Sequence, residues 1–121
     1  MKWYQNYDFI FTQFDRGAEL MDETQFYFRS DPLSEDHIIG YLPQYNKPYW
    51  VGSCDIPDGC EFKTAKEMFE ANIFDGRSLK ERWDDVVIVN ICGISVHDVK
   101  NHGLNNSTDF NVTDSLLTIT M

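Results

Sequence analysis

Residues 62–96 read FKTAKEMFEANIFDGRSLKERWDDVVIVNICGISV and carry the strongest local signals in the chain. Thr64 and Glu67 have the spacing of a capping box, in which a hydroxyl and a carboxylate satisfy free N–H groups at a helix start. Apolar residues then recur every three or four positions, which predicts a helix of two to three turns with the buried stripe Ala65, Met68, Phe69 and Ile73. Asp75-Gly76 is expected to end it, because glycine adopts the left-handed conformation of a helix exit.

The second half of this stretch predicts another helix and a strand. Ser78 and Glu81 repeat the capping pattern, so a shorter helix is expected to run to about Asp84. Val86–Ile91 is β-branched at nearly every position, which favours a strand buried on both faces. Gly93 is expected to close this strand or to mark a bulge. These signals concern the fold and say nothing about chemistry.

The aromatic N-terminal segment fits two patterns. Residues 7–14, YDFIFTQF, match a helical stripe, yet Tyr7, Phe9 and Phe11 also alternate as in a strand. Aromatic enrichment favours the strand, which is our prediction. The cluster could form a recognition surface, but core packing is the more common use of such residues.

The remaining segments complete a sheet. Residues 24–29 read as a strand, and residues 37–42 and 48–55 read as a hairpin around a Pro- and Asn-containing loop. One more strand or hairpin is expected within residues 110–120. The chain is therefore predicted to be one α+β domain over residues 1–121, with a mainly antiparallel sheet of four to six strands and two short helices packed on one face. The expected core is Phe9, Phe11, Phe26, Phe28, Ile38, Tyr41, Trp50, Met68, Phe69, Ile73, Trp83, Val87, Val89 and Ile91.

Composition supports a folded domain. A chain of 121 residues with 42% hydrophobic and 15% aromatic content is large enough to bury a core without disulfides or metals. It lacks an apolar run of the roughly 18 residues that a membrane span needs. The N-terminus lacks the apolar segment of a signal peptide, and the three cysteines form an odd set, so we expect a cytoplasmic protein with free thiols.

Charge is the feature that bears most on function. The net charge is −10, which disfavours direct binding to nucleic acid or to anionic membranes and allows a basic protein partner. Between residues 8 and 36 the chain has eight acids and two bases. We predict that these acids form the partner-binding surface: Asp8, Asp15, Glu19, Asp22, Glu23, Asp31, Glu35 and Asp36. The alternative is that the acidic surface serves only solubility.

Catalytic and metal-binding motifs are weak. Cys54, Cys60, Cys92, His97 and His102 include suitable ligand types, but their spacing is not that of a zinc site. Cys54 and Cys60 have acidic neighbours, which disfavour a reactive thiolate. The sequence has no Gly-x-Ser-x-Gly elbow, phosphate-binding loop or dinucleotide fingerprint. We therefore predict no catalytic residue, no metal and no cofactor.

These observations rank three classes of function. The first is a small acidic, non-enzymatic inhibitor of a basic protein, of the immunity or phage anti-defence type. Its target would be a nuclease or a nucleic-acid-binding protein, met by carboxylates placed where phosphates would lie. The second is a small enzyme that uses cysteine, histidine and carboxylate groups, a hydrolase or isomerase. The third is a structural or assembly subunit, so the chain is expected to be a monomer or a homodimer.

Overall fold

The computed structural model describes residues 3–96, and its main element is a six-stranded antiparallel sheet. The strands lie in the spatial order β4-β3-β2-β1-β7-β8, and every neighbouring pair is antiparallel. Their bounds are β1 Thr24–Phe28, β2 His37–Tyr41, β3 Tyr49–Val51, β4 Cys60–Phe62, β7 Val86–Ile91 and β8 Ile94–Ser95. A separate two-stranded sheet pairs β5 (Asn72–Phe74) with β6 (Arg77–Ser78).

Helices cover one face of the large sheet. The α-helices are α1 (Tyr7–Asp15) and α2 (Ala65–Glu70), and short 3-10 helices occupy Trp3–Gln5, Glu19–Met21 and Trp83–Asp85. Phe69 of α2 packs edge-on against Phe14 of α1, and the Tyr49 hydroxyl of β3 donates to the Phe14 carbonyl at 2.6 Å. The predicted α+β class, with a mainly antiparallel sheet and two helices, is confirmed. None of the helices within residues 3–96 has the length and apolar content needed to span a bilayer.

The core lies between the sheet and this helical layer. Strand positions that alternate along each strand point inward, and their side chains are almost fully buried. They meet β5 through aromatic contacts, such as Phe26 with Phe74 at 5.9 Å between ring centroids, and Tyr49 meets α1 through its hydrogen bond to Phe14. The inward-facing buried residues of the sheet are Thr24, Phe26, Phe28, Ile39, Tyr49, Val51, Val86, Ile88 and Ile91.

The predicted strand over residues 7–14 is wrong, because this segment is helix α1. The Asn6 side chain accepts a hydrogen bond from the Phe9 N–H at 2.8 Å and so caps the helix start. Ile10 and Phe14 are fully buried on one side, and Tyr7 stacks on Phe11 one turn later. The helical stripe therefore outweighs the strand propensity of the aromatic residues.

The capping box at Thr64 is present, but the helix is shorter than predicted. Both capping hydrogen bonds form, between the Thr64 hydroxyl and the Glu67 N–H and between the Glu67 carboxylate and the Thr64 N–H. Helix α2 ends at Glu70, and Ile73 lies in β5. Asp75-Gly76 forms the turn between β5 and β6, with φ of 57° and 76°. An Asp-Gly pair with two positive φ values suits a tight hairpin, which is a use of glycine different from the predicted helix exit.

The predicted second helix from Ser78 does not form. The Ser78 hydroxyl does accept from the Glu81 N–H at 3.0 Å, but Ser78 is the last residue of β6. Only a 3-10 turn at Trp83–Asp85 follows before the sheet resumes. The Ser78 side chain therefore caps a single turn, but the residues that follow lack the apolar stripe needed to extend this turn into a helix.

Strand β7 is buried on one face and not on both as predicted. Val86, Ile88 and Ile91 are buried, whereas Val87 and Val89 are half-buried. Ile38 of β2 and Trp50 of β3 are likewise half-buried beside fully buried neighbours. The side chains of Ile38, Trp50 and Val87 point outward, so the prediction that these three residues lie in the core is wrong. Val89 was also predicted to lie in the core, but it is half-buried and has no partner in β1, where the register between β1 and β7 shifts.

The other predictions for the sheet agree with the structure. The segment 24–29 contains β1, and β2 and β3 pair as the expected hairpin. Cys92-Gly93 closes the β7–β8 hairpin, both with positive φ. The strand or hairpin predicted within residues 110–120 lies outside the described residues.

Candidate functional site

The outer face of the large sheet, opposite the helices, is the candidate site. Phe74 of β5 contacts Phe26 and Phe28 on the inner face, and α1 accepts a hydrogen bond from Tyr49 there. Apart from Gly40, the outward-facing residues are at least partly exposed. Antiparallel sheets with one solvated face usually alternate apolar and polar residues, with the polar ones outward. The outward-facing residues of the large sheet are together called the outer face: Gln25, Tyr27, Ile38, Gly40, Trp50, Glu61, Val87 and Asn90. Four of them, Tyr27, Ile38, Trp50 and Val87, have large apolar or aromatic side chains.

Strand register arranges the outer face in three rows. In the first row, Trp50 pairs with Gly40 on one side and with Glu61 on the other. In the second, Gln25 pairs with Ile38 and Asn90, and the Asn90 amide donates to the Gln25 side chain at 2.8 Å. The third row is the pair Tyr27 and Val87. Paired residues on one face are about 5 Å apart. Tyr27 and Val87 are such a pair, while Trp50 and Ile38 both lie next to Gly52. We call these four side chains the apolar band, although the polar pair Gln25 and Asn90 lies beside Ile38 in the second row.

Trp50 lies flat on the sheet because its neighbour is glycine. A Cβ at Gly40 would overlap the Trp50 indole and the Asp22 carboxylate, so the ring lies directly over the Gly40 backbone. Gly52 borders the other end of the ring, where a Cβ would be 3.2 Å from Cζ3. The indole Nε1–H donates to Asp22 Oδ1 at 2.8 Å, and the same oxygen accepts from the Tyr41 N–H at 3.2 Å. The indole is therefore fixed in position, with one side against the backbone.

Two carboxylates lie beside this tryptophan, and a third precedes β1. Asp22 lies at the indole nitrogen, and Glu61 is its cross-strand neighbour on β4. Glu23 is exposed and directly precedes β1, where its carbonyl accepts from the Cys92 N–H. Among the strands that the structure describes in the large sheet, none of the outward-facing residues of the outer face is a lysine or arginine. Lys47 and Lys63 line a cleft with Glu61 at the edge of β4, and neither forms an ion pair with it.

The eight predicted acids fall on different parts of the fold. Asp8 and Asp15 are at the two ends of α1 in the helical layer, and Glu19 is in the 3-10 helix that follows. Asp22 contacts Trp50, and Glu23 directly follows it before β1. Asp31, Glu35 and Asp36 lie in the connection after β1, at the opposite end of that strand. Within residues 3–96 none of the eight forms a salt bridge with lysine or arginine.

A second charged region is centred on Arg82, and of the acids after β1 Asp31 lies within its electrostatic influence. The Arg82 guanidinium lies 3.6 Å from the centroid of the Phe28 ring and donates to the Phe74 carbonyl at 3.1 Å. Two carboxylates, Asp75 and Asp85, each approach it at 3.5 Å. With only 11% of its side chain exposed, Arg82 joins the β5–β6 hairpin to the sheet. We interpret this region as structural.

Three carboxylates of this region have lowered pKa values because they accept hydrogen bonds. The backbone N–H groups of Gly76 and Asp75 lower the pKa of Asp55. The N–H groups of Glu35 and Leu33 lower that of Asp31, and the Ser30 hydroxyl, with the Ser30 N–H, lowers that of Asp85. A carboxylate whose pKa is lower in the folded state stabilises the fold at neutral pH. This stabilisation is lost when acid protonates the group.

We expect the free energy of unfolding to fall as the pH is lowered from about 5 to about 2, through and below the ordinary carboxyl range. Asp55→Asn will flatten this dependence and lower the stability at pH 7, because the amide has no charge and only one acceptor oxygen for the two N–H groups that the carboxylate binds with its two oxygens. Urea unfolding at several pH values measures both effects. The control is Asp58→Asn in the same loop, and an equal flattening by the control would contradict the assignment to Asp55.

The cysteine and histidine groups do not form a catalytic arrangement within residues 3–96. Burial, with the nearby Cys54 and Glu61, raises the pKa of Cys60 to about 11, which suppresses its thiolate. His37 Nδ1 is 3.0 Å from the Ser53 carbonyl, and its ring stacks on Phe26. Among these residues no three His, Cys, Asp or Glu side chains form a group suited to a metal ion. His97 and His102 of the predicted ligand set lie outside the described residues.

The clefts described by the structure are charged and open. One cleft of about 590 Å³ lies beside β4 and is lined largely by Lys47, Lys63 and three glutamates. The other, of about 460 Å³, is lined by the side chains around Arg82. Small-molecule sites are mostly apolar and enclosed, so neither cleft resembles one.

Sequence reasoning identified Asp22 and Glu23 but placed Trp50 in the core. The signal that could have identified the outer face is the pair of glycines on either side of Trp50 in the hairpin, since glycine in a strand indicates close approach of another group. Comparison of the chain with protein-family models, with curated proteins and with solved structures gives no match.

Proposed function

We propose that this chain is a small non-enzymatic binding protein that engages a basic protein through the outer face of its sheet. The observation that carries the proposal is the combination of a fixed Trp50 with an apolar band and adjacent carboxylates. Tryptophan is enriched among the residues that contribute most to protein–protein binding. Apolar side chains that stay partly exposed and are bordered by polar groups are a common feature of interaction surfaces.

Charge supports a basic partner. With a net charge of −10 the chain attracts a cationic protein over a long range and speeds their encounter. Asp22, Glu23 and Glu61 then supply complementary charge beside the apolar contact. The same charges repel phosphates, so the proposal excludes direct binding of nucleic acid.

The strongest version of the proposal makes the chain an inhibitor. A nuclease or nucleic-acid-binding protein has a basic site, and carboxylates beside Trp50 would take the places of phosphates there. In this version the chain is an inhibitor of the immunity or phage anti-defence type. Three free cysteines in the chain are consistent with a reducing compartment, so the proposal places this activity in the cytoplasm.

Binding to a panel of purified basic nucleases and nucleic-acid-binding proteins tests the proposal. We expect calorimetry to detect a complex whose affinity falls as salt rises, because charge pairs are screened within about 10 Å at 0.1 M ionic strength. Glu23→Gln/Glu61→Gln should weaken the complex about tenfold, which corresponds to about 1.4 kcal/mol. The matched control, Asp58→Asn/Asp84→Asn, removes the same charge away from the outer face and should change the affinity less than twofold.

Two results would contradict this proposal. The first is an absence of complexes across the panel, and the second is an affinity that does not depend on salt. An equal loss in both double variants would instead show that net charge alone attracts the partner. Inhibition of the bound nuclease separates an inhibitor from a simple binding protein.

The outer face could also serve the third class of function, a structural or assembly subunit, if two copies of the chain paired through it. Two copies could bury their apolar bands against each other, but each would bring carboxylates to the contact, and like charges destabilise such a pairing. Light scattering after size exclusion separates the two cases. A monomer at high protein concentration is the expected result, and a stable dimer would favour an assembly subunit.

A further inference from the structure

We infer that Trp50 is the binding site for an arginine side chain of the partner, with the guanidinium stacked on the exposed side of the indole. This inference rests on the proposed function and names the chemistry that the partner must present. It depends on three features of the site: the position of the indole ring, the carboxylates near it and, among residues 3–96, the absence of a cation already in contact with it.

The indole is held as a flat surface. Its lower side is against the Gly40 backbone, one end meets Gly52, and its nitrogen donates to Asp22. The accessible part of this half-buried residue therefore includes the side turned away from the sheet. Arginine stacks on tryptophan through its planar guanidinium, and tryptophan is the best aromatic partner for a cation. A ring that is fixed before binding loses little conformational entropy when it binds.

Carboxylates are placed to receive the N–H groups of such a guanidinium. Asp22 Oδ1 already accepts from Trp50 and from Tyr41, which orients the carboxylate beside the ring. Glu61 lies on the opposite neighbouring strand, and Glu23 is exposed before β1. Arginine offers five N–H donors in a planar fork that matches carboxylate geometry, whereas lysine offers a compact ammonium. The site therefore favours arginine over lysine.

The chain itself shows how such a contact forms. Arg82 lies 3.6 Å over the Phe28 ring with carboxylates at its edges, which is the arrangement that we infer for the partner arginine on Trp50. Within residues 3–96, Trp50 has no ring or cation contact of this kind. A nucleobase could also stack on an indole, but the nearby carboxylates would repel its phosphate.

Titration of the full-length protein with N-acetyl-arginine amide, followed by NMR of the indole N–H signals, tests this inference. The chain has three tryptophans, so Trp50→Phe identifies the Trp50 signal by its loss. We expect this signal to shift and to saturate, with a dissociation constant in the millimolar range that is ordinary for a single small contact. The Trp83 indole donates to the Gln5 carbonyl at 2.8 Å and is an internal control that should not shift.

The neutral isostere N-acetyl-citrulline amide is the matched ligand control. It retains the planar shape without the charge and should shift the Trp50 signal at least tenfold less at equal concentration. Asp22→Asn retains an oxygen that accepts from Trp50 and removes the charge, so it should weaken the arginine response about fivefold. Asp58→Asn should leave the response unchanged, and N-acetyl-lysine amide should give a weaker response than arginine.

Each other occupant of the outer face gives a distinct result. A Trp50 signal that moves with protein concentration alone indicates a second copy, and one that moves with an oligothymidine indicates nucleic acid; either result overturns the inference. Equal shifts with arginine and citrulline, or no shift with arginine, also overturn it. If the arginine response of Trp50 is absent but the protein still binds a basic protein in a salt-dependent way, only the assignment of arginine to Trp50 is wrong. If neither the arginine response nor the salt-dependent binding is observed, the proposed function is wrong as well.

Discussion

Phe69→Ala is expected to lower the free energy of unfolding by about 3–5 kcal/mol, the cost typical of truncating a buried phenylalanine. Phe69 is fully buried and lies where the two α-helices meet. Its ring contacts four other aromatic side chains at centroid distances of 5.4 to 6.3 Å: Tyr7, Phe11, Phe14 and Trp83. Alanine would leave a cavity among groups held by their own helices and strands, so little collapse can compensate for it.

Urea unfolding followed by circular dichroism measures this loss. The matched control is Phe62→Ala on the edge strand β4, where the ring is only partly buried and the same atoms are removed. The control should cost less than half as much. A domain of this size is typically stable by about 5–15 kcal/mol, so Phe69→Ala should leave a marginally stable protein. A loss below about 1 kcal/mol would show that the helical layer is loosely packed against the sheet.

Local sequence signals predicted the sheet better than the helices. The strands from residue 24 to residue 51 and the strand at Val86–Ile91 are set by apolar runs between turn residues, and such runs can be read locally. Helix α1 was missed because an aromatic segment carries two periodicities at once. The decisive contact is the packing of Phe14 and Phe11 on Phe69, more than fifty positions away in the sequence. No local rule contains that information.

The second feature that the sequence did not reveal is which alternate side chains of each strand face the core. In Val86–Ile91 either alternate set is apolar enough to form a core, and the structure buries Val86 and Ile88 because they pair with Phe28 and Phe26 on the inner face. Which set points inward depends on the register with β1 and thus on the tertiary fold. For the same reason Trp50 was predicted to be buried, and the candidate site could not be located. Asp22 and Glu23 were predicted from charge alone, but Glu61 was not, because it lies outside the acidic segment from residue 8 to residue 36. The contact of Asp22 with Trp50 could not be predicted either, since it requires Asp22 to meet β2 and β3.

Gly40→Ala is expected to lower the free energy of unfolding by about 1–3 kcal/mol, as overpacked substitutions do, and to abolish the arginine response of Trp50. The added Cβ would overlap both the indole and the Asp22 carboxylate, so the ring must leave its place over the backbone. The hydrogen bond between Trp50 Nε1 and Asp22, 2.8 Å long, would then be lost. Stability and binding should therefore fall together, although residue 40 offers no side chain to a partner.

Gly52→Ala is the matched control, since it adds the same methyl group at the other end of the same indole. There the Cβ would be 3.2 Å from Cζ3, a tight contact that a shift of a few tenths of an ångström relieves. We expect a change in stability within about 0.5 kcal/mol and a retained arginine response. Unfolding and the NMR titration on both variants test the argument. If Gly40→Ala matched Gly52→Ala in both measurements, Trp50 would not depend on the glycine beneath it, and the fixed indole on which the proposed function rests would be disproved.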